Sequence, residues 1–403
     1  MTTATSISIP ALRRVRVDQV GSLAGPPALR ALVRQNATGE VSDEALARAQ
    51  DDAIRDVIRK QEAIGMPVLT DGEFRRRNFQ ESFGASVSGF EVPADVKRSF
   101  FERQSEITTD AFKRAEQDFA AAGPAITYRR PVVERLKLVR NVPLEEYRFA
   151  APFATRPVKE TIVSADRISQ RFAWEQSQNV YADMDAFLAD VVAIEREMIA
   201  QLVAAGCRYI QIDAPGYTAY GDGVSLDRMR SRGEDPAANL ARAIRADNAI
   251  IAGFEGVVFG IHLCRGNPRT IDPATGKVLA QWHREGKYDA YAEQLFAELA
   301  HDRLLLEYDS DRAGNFEPLR FVPSDKVVVL GLVTTKSEDV ESGDELVRRI
   351  DEANRYLPLE ALALSPQCGF GGVGSSAVLP EDVQWRKFER ILETARRVWG
   401  TIA

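Results

Sequence analysis

Runs of aliphatic and β-branched residues that alternate with helical stretches constrain the fold of this chain more than any other feature. Strands are predicted at residues 67–71 (PVLTD), 208–213 (RYIQID), 256–264 (GVVFGIHLC), 303–308 (RLLLEY), 326–333 (KVVVLGLV) and 361–365 (ALALS), and weaker runs at 15–22 and 147–152 bring the count to eight. Between them lie amphipathic segments at 42–64, 184–205, 236–252, 290–300, 343–355 and 380–398, each bounded by polar, Gly or Pro residues. Strand and helix in alternation imply a parallel sheet with crossover helices. The later strands are apolar almost without interruption, as expected of a sheet covered on both faces. The prediction is an α/β fold, a (β/α)8 TIM barrel, whose functional residues sit at the C-terminal ends of the strands.

The chain has 403 residues, 45% hydrophobic and 28% charged, enough for one large domain. We expect a flexible segment at 1–14 and a single catalytic barrel at 15–403. Two stretches exceed the plan: residues 97–140, a charged helical pattern followed by an alternating ITYRR…RLKLV segment suited to a hairpin or cap, and 266–288, a long active-site loop. A net charge of −7 without charged blocks makes nucleic acid an unexpected partner. Residues 1–10 lack the basic and apolar regions of a secretory leader, and no stretch approaches the roughly twenty apolar residues of a membrane span. Three cysteines, Cys207, Cys264 and Cys368, form no disulfide framework, so a reducing cytoplasm is expected. A homo-oligomer is compatible with the sequence.

Histidines are equally scarce: His262, His283 and His301. His262 and Cys264 stand two apart, so on an extended chain they project to the same side. Glu307 ends the next predicted barrel strand, and Cys368 follows the last one. All four fall at one rim of the predicted barrel. Two thiols, an imidazole and a carboxylate suit tetrahedral zinc, and zinc keeps a bound thiol deprotonated yet nucleophilic. The spacing alone is a weak motif, and a lone strand cysteine is otherwise a small buried hydrophobe. Cys207, behind Ala204, Ala205 and Gly206, keeps that plain role.

The strings DQVGSL (18–23), LTDGEFRR (69–76), YIQIDAP (209–215), HLCRGN (262–267), LLLEYD (304–309) and SPQCGF (365–370) resemble the catalytic half of cobalamin-independent methionine synthases. The resemblance spans residues 15 to about 400 and is closest to short, single-barrel members. It implies a zinc-dependent methyltransferase of methionine biosynthesis, with His262, Cys264, Glu307 and Cys368 as metal ligands. The activated thiol would be homocysteine, a zwitterion that needs anions beside its ammonium and donors beside its carboxylate. By that resemblance Glu73 and Asp213 hold the amino group, as the expected catalytic acids, and Gly21 and Ser22 face the carboxylate. Tyr217 and Tyr220, in the loop after Asp213, either cover the substrate or pack on the rim, and Tyr217 is counted with the substrate-binding set.

Folate-dependent members carry a strand-end histidine that the matching segment LGLVTTKS (330–337) lacks; Thr334, Thr335 or Lys336 would have to replace it. An aromatic platform for a pterin is not evident in AAPFATRP (150–157), where Phe153 is the only ring. The expected partners are therefore a small thiol and an alkyl donor left unnamed. Three alternatives stay open: an epoxyalkane:coenzyme M transferase-like enzyme, using Arg75, Arg76, Arg77 or Arg265 for a sulfonate; a metal-free barrel like uroporphyrinogen decarboxylase; and a non-catalytic zinc or thiol binder. Arg265 and Asn267 are expected to order the loop behind the ligands, Asp309, Asp311 and Arg312 to structure a turn, and His283 and His301 to lie at the surface.

Overall fold

The structure, a computed structural model, describes residues 8–91, 131–170, 172–265, 269–271, 278–280, 286–373 and 379–402. Ten strands occur among them: β1 (Val87–Phe90), β2 (Val132–Leu138), β3 (Lys159–Val163), β4 (Tyr209–Asp213), β5 (Val258–Leu263), β6 (Arg269–Ile271), β7 (Val278–Ala280), β8 (Arg303–Glu307), β9 (Val327–Val333) and β10 (Leu362–Pro366). Six are parallel neighbours in the order β10-β9-β8-β5-β4-β3. Every residue of these six is buried, and except in β3, which opens on the buried charges Lys159 and Glu160, that burial is written in the sequence as mainly apolar runs.

Two short staves complete the ring. Val17 bridges in parallel to Leu364 on β10, and Leu69 bridges in parallel to Val158 just before β3. These staves meet where Leu23 N donates to Gly72 O at 3.1 Å and the Gln19 amide donates to Val68 O at 3.0 Å. The molecule is thus a (β/α)8 TIM barrel.

Helices return the chain to the barrel floor. Asp43–Ile64, Met184–Ala204, Pro236–Ile251 and Gly343–Ala353 begin at Ser42, Asp183, Asp235 and Ser342, whose side chains accept from a backbone N–H of the first turn. Each lays an apolar face, such as Ile54, Val57 and Ile58 of Asp43–Ile64, against the barrel wall.

Two expectations need correction. Residues 147–152 are no strand: Asn141 caps a helix, Val142–Ala150, with Pro143 in its first turn, and the stave is the next segment, β3. The apolar alternation there was a helix face. The chain start is also less free than expected, because Ile9–Arg13 forms a helix that inserts fully buried Leu12 against Val15, Val68, Tyr209 and Val258 under the barrel. The stretch 97–140 contributes β2, which pairs antiparallel with β1 (Val87↔Leu138); residues 92–130 lie outside the described residues. In the loop 266–288, β6 and β7 pair antiparallel (Arg269↔Ala280). No helix of the described residues is long and apolar enough to cross a membrane.

The lower half of the barrel is polar. Asp18, Lys159, Arg303 and Tyr209 are fully buried. Asp18 receives Lys159 Nζ at 2.8 Å, Arg303 Nη2 at 3.1 Å and the Tyr209 hydroxyl at 2.6 Å. Burial works to raise the Asp18 carboxyl, but the two cations outweigh it and hold it below the usual carboxylate range. Removing one partner of such a set costs about 3–5 kcal/mol.

Candidate metal and thiol site

The sheet register assembles the site. His262 and Cys264 occupy and follow the C-terminal end of β5, Glu307 ends the adjacent β8, and Cys368 follows β10. One donor atom from each of the four lies within 4.8 Å of the others. Cys264 Sγ and Cys368 Sγ are 3.6 Å apart, as thiols and not as a disulfide. The His262 ring stands between two carboxylates, Nδ1 being 3.5 Å from Asp213 Oδ1 and Nε2 3.6 Å from Glu307 Oε1.

The electrostatics follow from this crowding. Burial opposes a charged His262, yet Asp213 and Glu307 overcome it and hold the ring protonated up to about 10. Burial likewise opposes a charged Glu307, but His262, Lys336 and Arg312 pull its carboxyl down to about 2. Hydrogen bonding to Cys368 and then burial push the Cys264 thiol well up. Protons therefore balance an otherwise anionic donor cluster, and a divalent cation is the species that would displace them.

Glu307 is fixed from behind. Its Oε1 accepts from the Arg265 backbone N–H at 2.9 Å, Arg312 Nη2 lies 3.5 Å from Oε2, and its own N–H donates to the Tyr288 hydroxyl at 3.0 Å. Arg265 is 1% exposed; its Nη2 donates to Gly286 O and, at 2.8 Å, to Arg312 O, which straps the loop as expected. Asn267 and His283 lie outside the described residues. Arg312 does more than shape a turn, since it reaches a candidate ligand, and Asp309 pairs with Lys336 at 2.8 Å. Thr335 donates to Gln367 Oε1 at 2.8 Å, beside Cys368.

A second acidic wall adjoins the cluster. Glu73 and Asp213 are 6% and 7% exposed. Glu73 is the one non-glycine residue at positive φ (58°) among the described residues, a strained conformation held by its N–H donating to Asp71 Oδ1 at 2.7 Å. Its Oε1 accepts from the Thr161 hydroxyl at 2.8 Å, and Arg76 Nη1 is 3.7 Å away. Gly21, at φ 136°, has no room for a side chain: a Cβ there would meet Glu73 Oε1 at 2.7 Å. Ser22 ties this turn to the Cys368 loop, its O accepting from Phe370 N at 2.8 Å and its Oγ from Gly371 N at 3.4 Å. Asp213 Oδ1 accepts from Gln211 Nε2 at 2.8 Å.

The remaining candidates fall elsewhere. Tyr217 is fully buried and its hydroxyl donates to Asp247 on helix Pro236–Ile251 at 2.8 Å, so it packs behind the Asp213 loop instead of covering a substrate; Tyr220 points to Asp166. Cys207 is buried, as expected. His301 is not at the surface: it is fully buried in the turn before β8, and burial and Lys326 push its ring down to about 3. Phe153 precedes β3 at the opposite, N-terminal face, stacked under Arg55 at 5.1 Å, so residues 150–157 are not where a platform for this site would lie. Thr161 and Gln211 were missed, and Arg76 and Arg312 were named only in other roles. Thr161 lies on the unrecognised strand β3, Gln211 acts through Lys159, which is distant in sequence, and the two arginines read as loop charges.

The profile of the family described as "Cobalamin-independent synthase, Catalytic domain" matches residues 17–272 and 285–381. The uncharacterized protein YxjH of Bacillus subtilis (strain 168) is 31% identical over 95% of this chain and 94% of its own length. The methionine synthase of Pyrococcus abyssi is 23% identical over 94% of this chain and 91% of its own. Among solved structures, a Shewanella sp. W3-18-1 B12-independent methionine synthase in complex with selenomethionine superposes with a TM-score of 0.67 at 17% identity, covering 96% of this chain and 97% of that one. That likeness speaks for the fold. Profile, relatives and site motifs agree, and the chain belongs to the cobalamin-independent synthase catalytic-domain family.

Proposed function

We propose that this chain is a zinc-dependent S-methyl or S-alkyl transferase that activates a small amino-acid thiol, homocysteine before others. The observation that carries this is the juxtaposition of two groups: the His262, Cys264, Glu307 and Cys368 donors within 4.8 Å, and the Glu73 and Asp213 acids beside them, with Asp213 3.5 Å from the His262 ring. The donor set, two thiols with one imidazole and one carboxylate, fits zinc. Bound there, zinc would lower the pKa of an incoming thiol and leave its sulfur nucleophilic.

The chain's own residues supply the rest. Glu73 and Asp213 bind the ammonium, the Gly21–Ser22 turn faces the carboxylate, and burial excludes water from the sulfur. The alkyl donor is not assigned to methyltetrahydrofolate. Residues 330–337 contain no histidine, and Lys336, the strongest base there, is committed to Asp309 at 2.8 Å. A sulfonate thiol such as coenzyme M is disfavoured because Arg75 pairs with Asp51 and Arg76 with Glu146. Thiols this close need a reducing compartment, so the proposal places the protein in the cytoplasm.

The test is metal analysis of the wild type and of Cys368→Ser and His262→Ala, together with calorimetry against L-homocysteine and coenzyme M. We expect about one zinc per wild-type chain, metal loss with a retained fold in both variants, and homocysteine binding only to the loaded protein. Tight binding of the sulfonate thiol alone refutes the amino-acid assignment, and full thiol binding without metal refutes the zinc assignment.

A further inference from the structure

We infer that Lys159 is a positioning residue, which acts through Gln211 to fix Asp213 as a receptor for the ammonium of the thiol substrate. The inference rests on the amino-acid thiol proposed above.

The argument starts from a donor with no freedom. Lys159 Nζ is fully buried and donates to Asp18 Oδ1 at 2.8 Å, to Gln19 O and to Gln211 Oε1 at 2.8 Å. An ammonium has only donors, so the Gln211 atom that meets it must be the amide oxygen. That settles which way the amide faces. The Gln211 nitrogen is turned the other way, where it donates to Val20 O at 2.6 Å and to Asp213 Oδ1 at 2.8 Å. Gln211 itself is fully buried, so no water competes for either end.

The consequence reaches Asp213. With Oδ1 taken by Gln211 and turned to the His262 ring, Oδ2 has no protein donor among the described residues, and the side chain is 10% exposed. One carboxylate oxygen is thereby immobilised, and the other is left for a ligand. Lys159 is anchored in turn by Asp18, which Arg303 and Tyr209 hold. An apolar barrel floor would fill the same space. A chain of directed donors instead gives Asp213 a single orientation, which recognition of an ammonium requires.

The experiment compares two probes on zinc-loaded protein by calorimetry: L-homocysteine, and 4-sulfanylbutanoate, which has the same thiol and carboxylate but no amino group. Gln211→Glu keeps the volume and the acceptor for Lys159 but puts a carboxylate oxygen where the donor stood. Lys159→Met removes the anchor, and Gln211→Glu keeps the test open if that variant does not fold. We expect each folded variant to lose about tenfold to a hundredfold of homocysteine affinity, with 4-sulfanylbutanoate affinity and zinc content unchanged. Equal weakening of both probes, or of neither, overturns the inference. A wild type that binds both probes equally overturns the amino-acid proposal and this inference with it.

Discussion

Replacing Glu73 by Gln should make the metal-free protein more stable at pH 8 while removing its grip on an amino acid. The carboxyl of Glu73 is raised from 4.5 to about 7: burial drives the rise and Asp213 and Asp71 add to it, against Arg76 and the Thr161 hydroxyl. At about 1.4 kcal/mol per unit, keeping Glu73 ionised in the folded chain costs about 3 kcal/mol. The sign follows from linkage. Below pH 4.5 folded and unfolded chains both carry the proton and the cost vanishes. Between pH 4.5 and 7 the unfolded chain ionises first, so stability falls as pH rises, and above 7 the full cost remains. Gln is isosteric, can still accept from Thr161, and never ionises. Its advantage should therefore be near zero at pH 4.5 and about 3 kcal/mol at pH 8. For 403 residues this displaces the melting temperature by about 3–4 °C. Thermal or urea unfolding of wild type and Glu73→Gln across that range is the assay. An advantage independent of pH, or absent at pH 8, refutes the reasoning; homocysteine affinity of the zinc-loaded variant should meanwhile fall at least about tenfold.

Two further outcomes are expected. Gly21→Ala places a Cβ 2.7 Å from Glu73 Oε1 and 3.1 Å from Thr161 Cγ2 at φ 136°, so it should cost about 1–3 kcal/mol and weaken homocysteine binding; unchanged values for both by unfolding and calorimetry contradict it. Diamide should cross-link Cys264 to Cys368 in metal-free protein, given sulfurs 3.6 Å apart, while zinc protects them and buried Cys207 stays unmodified. Peptide mapping decides this, and preferential loss of Cys207 counts against it.

The barrel was legible because burial on both faces writes an apolar run, and β4, β5, β8, β9 and β10 are such runs. β3 was not, for a physical reason. Its first residues, Lys159 and Glu160, are buried charges whose companions, Asp18 and Arg76, lie far away in sequence. Local patterning carries no trace of a partner supplied by another stave, and the neighbouring helix face at 142–150 took its place. Leu12 escaped notice similarly, since one buried residue makes no period. The donor set was legible because scarce residue types fell at strand ends. Tyr217 shows the limit of that logic: position in a rim loop does not fix the partner of a side chain, and its hydroxyl is taken by buried Asp247.

The register between β4 and β5 has a consequence for substrate size. Asp213 and His262 are paired Cα partners on neighbouring strands, which run about 4.8 Å apart. The proposed ammonium receptor and the first candidate metal donor thus stand one strand step apart on a rigid sheet. Such a sheet is a gauge for the span between nitrogen and sulfur. On the proposed function, cysteine, one methylene shorter than homocysteine, should bind more weakly, because strand pairing fixes the backbone positions of Asp213 and His262.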